Sequence, residues 1–207
     1  EDCVFLGKET LFNDFTTGSG FRIRKGSLYE EDASIAQHTD TKMTILFPWV
    51  TLGSNSNLCD LLISGGNGPE LGHFTEVGSG TVHFNFTTHG DKATATLLGD
   101  AESGLFLDSK RLFIGGNNSL LGPLQAEYGT FTPAGGRCSR RLLCGLNPTD
   151  SNRTGFTPYP DNRPRNLRRI VGSQVEYCAQ LIVLRYWYER VRIPFAASDA
   201  LRTVYVA

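Results

Sequence analysis

Polar and apolar positions alternate along most of this chain. In the stretch from Thr81 to His89, Val82, Phe84 and Phe86 share one face, while Thr81, His83, Asn85 and Thr87 share the other. That is the period-two signature of a half-buried strand. Similar runs at Val4–Phe12, Phe21–Tyr29, Lys42–Val50, Leu58–Ser64, Lys92–Leu98 and Leu105–Ile114 predict further strands. Turn signals separate them: GSG at 18–20, GSNSN at 53–57, SGGNGPE at 64–70, HGD at 89–91, GGNN at 115–118 and PAGG at 133–136. Helical periodicity is almost absent, with room for one short helix within 53–63. Many strands with Gly/Asn turns and no alternating helices predict an all-β fold, a sandwich or barrel, forming one domain over 1–207.

The longest run, Val175–Ile193, is apolar on both sides when read as a strand. Leu181 and Val183 lie on one face, and Ile182, Leu184, Tyr186 and Tyr188 on the other. A strand of that kind must be covered on both faces. The expectation is therefore that it and the apolar tail meet another subunit, through Trp187, Tyr188, Arg190, Arg192, Phe195 and Tyr205. Residues 137–169 stand apart, with eight arginines, two aspartates and four prolines. Proline cannot donate to a ladder, so this segment reads as a long surface loop. Arg153, Phe156, Tyr159, Arg163 and Arg165 are its expected contact residues.

Length and charge narrow the classes. At 207 residues the chain can bury a substantial core, and a formal charge of −1 gives no general pull toward nucleic acid or membrane. No run of apolar residues reaches the length of a membrane span. The start at Glu1, without a methionine, suggests a removed leader, a polyprotein neighbour or an arm. The five cysteines are scattered; Cys138 and Cys144 are six apart, which fits no zinc pattern. Free thiols and one or two disulfides both remain open. Sequons begin at Asn85, Asn117 and Asn152, with Asn85 inside an expected strand.

No catalytic constellation emerges. His38, His73, His83 and His89 lack metal-ligand spacing, so no metal site is expected. There is no G-x-S-x-G elbow, and Gly18-Ser19-Gly20 and Gly78-Ser79-Gly80 read as turns. Arg169-Ile170-Val171-Gly172 mimics a protease activation site, but too little chain follows for a protease domain. Glu30-Glu31-Asp32 has carboxylates that could do acid–base work, and reads instead as a solvated acidic turn. The expectation is that the chain is not an enzyme and carries no cofactor.

Three segments carry a family resemblance. VLRYWYERVRIPF, with Leu184-Arg185-Tyr186, Arg190-Val191 and Pro194, resembles the last strand of the jelly-roll capsid proteins of picornaviruses. CVFLGKETLF resembles the first core strand of their five-fold-proximal member, with Lys8 in place of an arginine. HFTEVGSGTVHFNFTTHGDKATATLL is similar to their paired middle strands. No Pro-Tyr element precedes the long loop, which departs from the family. The resemblance implies an antiparallel eight-stranded jelly-roll β-sandwich. It implies a structural subunit of a non-enveloped icosahedral virus, assembled in the host cytoplasm with copies of itself and sister capsid proteins. A host receptor would meet the long loop, genomic RNA a missing terminal arm, and a lipid the sandwich interior. Two alternatives stand beside it. One is a secreted, disulfide-bearing β-rich glycoprotein of fungal-wall or effector type. The other is a carbohydrate-binding β-sandwich using Trp49 or Trp187.

Overall fold

The computed structural model describes residues 4–6, 10–11, 15–70, 72–85, 94–139, 141–148 and 167–196. Strands form in most of the expected regions, but they are shorter and more numerous, eighteen among the described residues, and their arrangement corrects the fold. An eleven-stranded and a seven-stranded sheet make up the body, and neighbouring strands such as Arg22–Arg24 and Asp40–Leu46 pair in parallel. Parallel pairing holds for every strand pair among the described residues. A jelly roll is antiparallel throughout, so the jelly-roll sandwich and the capsid resemblance are both overturned. Alternation within a strand is the same for either pairing direction, which is why period two could not separate them.

The chain instead winds as a parallel β-solenoid with three walls. The first wall contains Arg22–Arg24, the front of Asp40–Leu46, the front of Asn57–Ile63, Val82–Phe84, Ser119–Leu121 and Arg137–Cys138. The second contains Leu28–Tyr29, the rear of the same two long strands, Thr96–Leu98 and Gln125–Ala126. The third is the seven-stranded sheet, from Thr16–Thr17 to Gly145–Leu146.

Each wall sends one row of side chains inward, and the pairing register stacks the rows. Ile23, Thr41, Leu58, His83, Leu120 and Cys138 form the first. Tyr29, Leu46, Ile63, Leu98, Ala126 and Leu142 form the second. Ile35, Leu52, Val77, Ile114 and Thr132 form the third. All of these residues are buried, and together they fill the interior.

Along the sequence the inward positions recur every five or six residues: Ile23, Tyr29, Ile35, Thr41, Leu46, Leu52, Leu58 and Ile63. The corners between walls require backbone in the left-handed region. Gly20, Gly26, Asp32, His38, Met43, Trp49, Asn55 and Asp60 all have positive φ, at the same spacing. Met43 and Asp60 lie within the two long strands, which therefore bend from the first wall into the second. The expected short helix in 53–63 is replaced by the strand Asn57–Ile63. Buried polar groups close the corners. Asn118 donates from Nδ2 to the carbonyls of Gly115 and Pro133, both at 2.8 Å, and accepts from the Gly136 amide.

Excursions interrupt the winding. One carries α1 (Ala101–Gly104), capped by the Asp100 carboxylate accepting from the Ser103 amide. Tyr128 pins this excursion, donating to the Asp100 carbonyl at 2.7 Å and bonding Ser64 Oγ at 2.9 Å. Burial pushes the Tyr128 hydroxyl up to about 12. The expected aromatic strand Val175–Ile193 is the second correction. Leu167–Trp187 is a helix, α2, followed by a π-turn at Tyr188–Arg192 and a short helix at Ile193–Ala196. A segment apolar all round satisfies period 2 and period 3.6 alike, and its length of 21 residues belongs to a helix.

Helix α2 straps the outside of the second wall. The outward row Ile45, Leu62 and Leu97 is in register on that wall, and Leu184, Tyr177, Val183 and Tyr188 pack over it. The segment expected to be covered on two sides is a helix covered by the solenoid on one side, with Val175 and Ile182 exposed on the other. Gln180 Oε1 accepts from the Ala101 amide at 2.7 Å, tying α2 to α1.

Candidate functional site

A cleft opens where α2 ends against a corner of the solenoid. Glu30 and Glu31 follow directly on inward Tyr29, at the turn from the second wall to the third. Phe47 and Pro48 come from the equivalent turn one coil later. Gly104, Leu105 and Leu107 come from the α1 excursion, and Trp187 and Arg192 from the helix end. The cavity volume is about 70 Å³, and the cleft opens to solvent at its mouth. Gly104 is required by close approach, because a Cβ there would lie 2.9 Å from the Phe47 ring and from Ser64 Cβ.

The groups in this cleft are unequal. The Glu31 carboxylate accepts from the Arg192 guanidinium across 161 residues of sequence, which fastens α2 to the corner. The Trp49 indole donates to Asp32 at 3.0 Å and steadies the same turn. Glu30 is only 4 % exposed, and its Oε1 has no hydrogen-bond partner among the described residues. Burial pushes its carboxyl up to about 8, Arg192 pulls it back, and the Glu31 charge adds to the rise. At neutral pH Glu30 is therefore a protonated acid facing a cleft with apolar walls. The acidic turn expected to be solvated is instead the centre of the most distinctive chemistry in the molecule.

His83 heads a second polar cluster, on the first wall. Its Nδ1 donates to the Cys59 carbonyl, and its Nε2 accepts from Thr96 Oγ1 at 2.8 Å. Burial lowers its pKa and keeps the ring neutral. Asn85 donates to Asp60 beside it and is 1 % exposed. With both ring nitrogens engaged, His83 braces the interior. Among the described residues, no group of three or more His, Cys, Asp or Glu side chains could hold a metal ion.

The residues expected at a subunit interface divide. Trp187 and Arg192 line the cleft, and Tyr188 packs on the second wall, so these three serve contacts within the chain. Arg190 lies over the Tyr186 ring at 5.9 Å on the exposed side. Phe195 falls in the short helix Ile193–Ala196, and Tyr205 lies outside the described residues. Arg153, Phe156, Tyr159, Arg163 and Arg165 also lie outside them. Within 137–148 the expected loop contributes strands Arg137–Cys138 and Gly145–Leu146 to the last coil. Residues 167–169 open α2.

The alternative readings are corrected on the same grounds. The solenoid is not a carbohydrate-binding sandwich. Cys144 and Cys178 are exposed free thiols, Asn85 is buried and Asn117 is exposed, and no finding supports the disulfide-bearing glycoprotein. No helix among the described residues is long and apolar enough to cross a membrane.

No family model matches the chain, and no curated protein is similar to it in sequence. Among solved structures, the crystal structure of the polySia specific acetyltransferase NeuO is similar at 10% identity with a TM-score of 0.38. The match covers 84% of this chain and 93% of that one. At that level the likeness carries no argument about activity. The capsid function has no support once the sheets are parallel, and the expectation that the chain is not an enzyme is withdrawn with it.

Proposed function

We propose that this solenoid binds a small molecule in the cleft at the end of α2 and acts on it as a general acid, with Glu30 as the proton donor. The observation that carries the reading is the buried Glu30 carboxyl, its Oε1 without a hydrogen-bond partner among the described residues, in a cleft lined by Phe47, Leu105 and Trp187. Such a group works against the fold. Its pKa rises from the ordinary 4.5 to about 8. Keeping the proton at neutral pH costs ~1.4 kcal/mol for each pH unit above the ordinary value, roughly 3 kcal/mol at pH 7. A glutamine or a leucine would avoid that cost. Destabilising titratable groups of this kind concentrate where function needs them, and a donor with a pKa near the working pH is suited to proton transfer.

The ligand follows from the lining. The protonated carboxyl donates to an oxygen acceptor, Arg192 supplies a positive field, and the apolar walls cover a hydrocarbon or aromatic body. The expected ligands are small carboxylates or carbonyl compounds with an apolar group. Benzoate is the probe, followed by Trp187 fluorescence in a Trp49→Phe background. Saturable quenching at pH 6 that disappears at pH 9, and that Glu30→Leu abolishes, supports the reading. Absence of quenching at pH 6, or quenching unaffected by Glu30→Leu, overturns it.

A further inference from the structure

Helix α2 has a second side that the solenoid does not use. Ser173, Tyr177, Gln180, Leu184 and Trp187 turn toward the body at helical spacing. Opposite them, Val171, Val175, Cys178 and Ile182 form an outward stripe that continues into Arg185 and Glu189. Val175 and Ile182 are 64% and 68% exposed, and Tyr186 beside them is 64% exposed. The spacing along this stripe is four, three, four, three, four, the pattern that keeps one seam facing a partner helix. A solvated helix face would place charges at these positions.

The stripe is symmetric about its own middle, at the level of Gln180. An antiparallel copy sets Cys178 against Ile182, Val175 against Arg185 and Val171 against Glu189. Charge selects this direction. A parallel copy would set Arg185 on Arg185 and Glu189 on Glu189. The antiparallel copy instead brings Glu189, which pairs with Arg185 of its own helix at 2.6 Å, to exposed Arg168 at the other end, so that two arginines flank one carboxylate. A seam of this length is marginal for free peptides, but α2 is already ordered by docking on the second wall, so its helical entropy cost is met before association. The two-fold arrangement closes on itself and leaves no open end for a fibre.

We propose that two copies of this chain pair through the outward stripe of α2, antiparallel about the level of Gln180. The contact leaves the cleft side of the helix free and is independent of the ligand reading.

The test uses the full chain. Sedimentation velocity over a concentration series is expected to show a monomer–dimer equilibrium. Val175→Glu with Ile182→Glu is expected to leave only monomer at every concentration, with circular dichroism and thermal midpoint retained because both positions point away from the core. A wild-type chain that stays monomeric at hundreds of micromolar overturns the proposal, as does a dimer that the double variant leaves intact. Direction is read separately by mild oxidation in a Cys3→Ser, Cys144→Ser background, which removes the other thiol exposed among the described residues and Cys3, which lies outside them. Adding Ile182→Cys is expected to give a disulfide-linked dimer with the partner's Cys178, while the background alone gives none. Efficient linkage of Cys178 to itself would mean a parallel pair and would sink the antiparallel register.

Discussion

Replacing Glu30 with glutamine keeps the shape of the side chain and removes its titration, so it isolates the cost of the buried acid. In wild type the folded-state pKa is about 8 and the ordinary value 4.5. Between those limits the folded state holds a proton that the unfolded state has released. Stability therefore falls as pH rises through that window, by ~1.4 kcal/mol per pH unit, and is level below and above it. Glu30→Gln removes this slope. The variant is expected to match wild type near pH 4.5, to exceed it by roughly 3 kcal/mol at pH 7, and to hold a constant advantage above pH 8. Other carboxylates titrate in the same range, so the quantity to follow is the difference between the two proteins. Urea denaturation monitored by far-ultraviolet circular dichroism, at half-unit steps from pH 4.5 to 8.5, gives that difference directly. A wild-type–variant difference that stays flat across the window would refute the reasoning, because Glu30 would then ionise as it does in water.

Further outcomes follow from the same contacts. Arg192→Met removes the charge that pulls the Glu30 pKa down, so the pH at which wild-type stability levels off should move upward in the same urea series. It should also weaken α2 docking by loss of the Glu31 contact. Leu184→Ala empties the centre of the helix–wall contact and should cost about 2–4 kcal/mol, read as lowered protection of α2 amides in hydrogen exchange. Asn118→Ala strips partners from two carbonyls and one amide at a buried corner and should cost about 2–4 kcal/mol in urea denaturation. Gly53→Ala would place a Cβ 2.4 Å from the Ser79 amide nitrogen, and the overpacking should lower the thermal midpoint by several degrees.

The strands were legible because each solenoid strand alternates in and out like any other half-buried strand. Their pairing was not, because alternation carries no direction. A longer period did carry it. From Ile23 to Ile63 and again from Ile114 through Leu120, Ala126 and Thr132 to Cys138, buried residues recur every five or six positions. The excursion between Ser64 and Phe74, and the one that carries α1, break the count in the middle of the chain. Small and polar residues also stand in the rows, as at Thr41, His83 and Thr132, so a purely hydrophobic scan loses the beat. The corners are harder still, since Met43, Trp49 and Asp60 occupy left-handed positions where glycine or asparagine would have announced a turn. The closing segment pointed to cover on two sides, whereas the solenoid covers one side of α2, and apolar residues on both faces of the strand reading hid its helical period. Glu30 was visible as a candidate acid, but its burial was hidden for a different reason. Its burial depends on Trp187 and Arg192, which lie more than 150 residues away, and no local pattern reports such a contact.

The most direct test is the titration of the Glu30 side chain itself. With ¹³Cδ-labelled glutamate and Glu30→Gln to assign the resonance, the carboxyl shift can be followed by NMR from pH 4 to 9, with and without benzoate. The account predicts a midpoint close to 8 in the free protein and a resonance that moves when benzoate is added at pH 6. A midpoint at the ordinary glutamate value, with no response to the ligand, would contradict it.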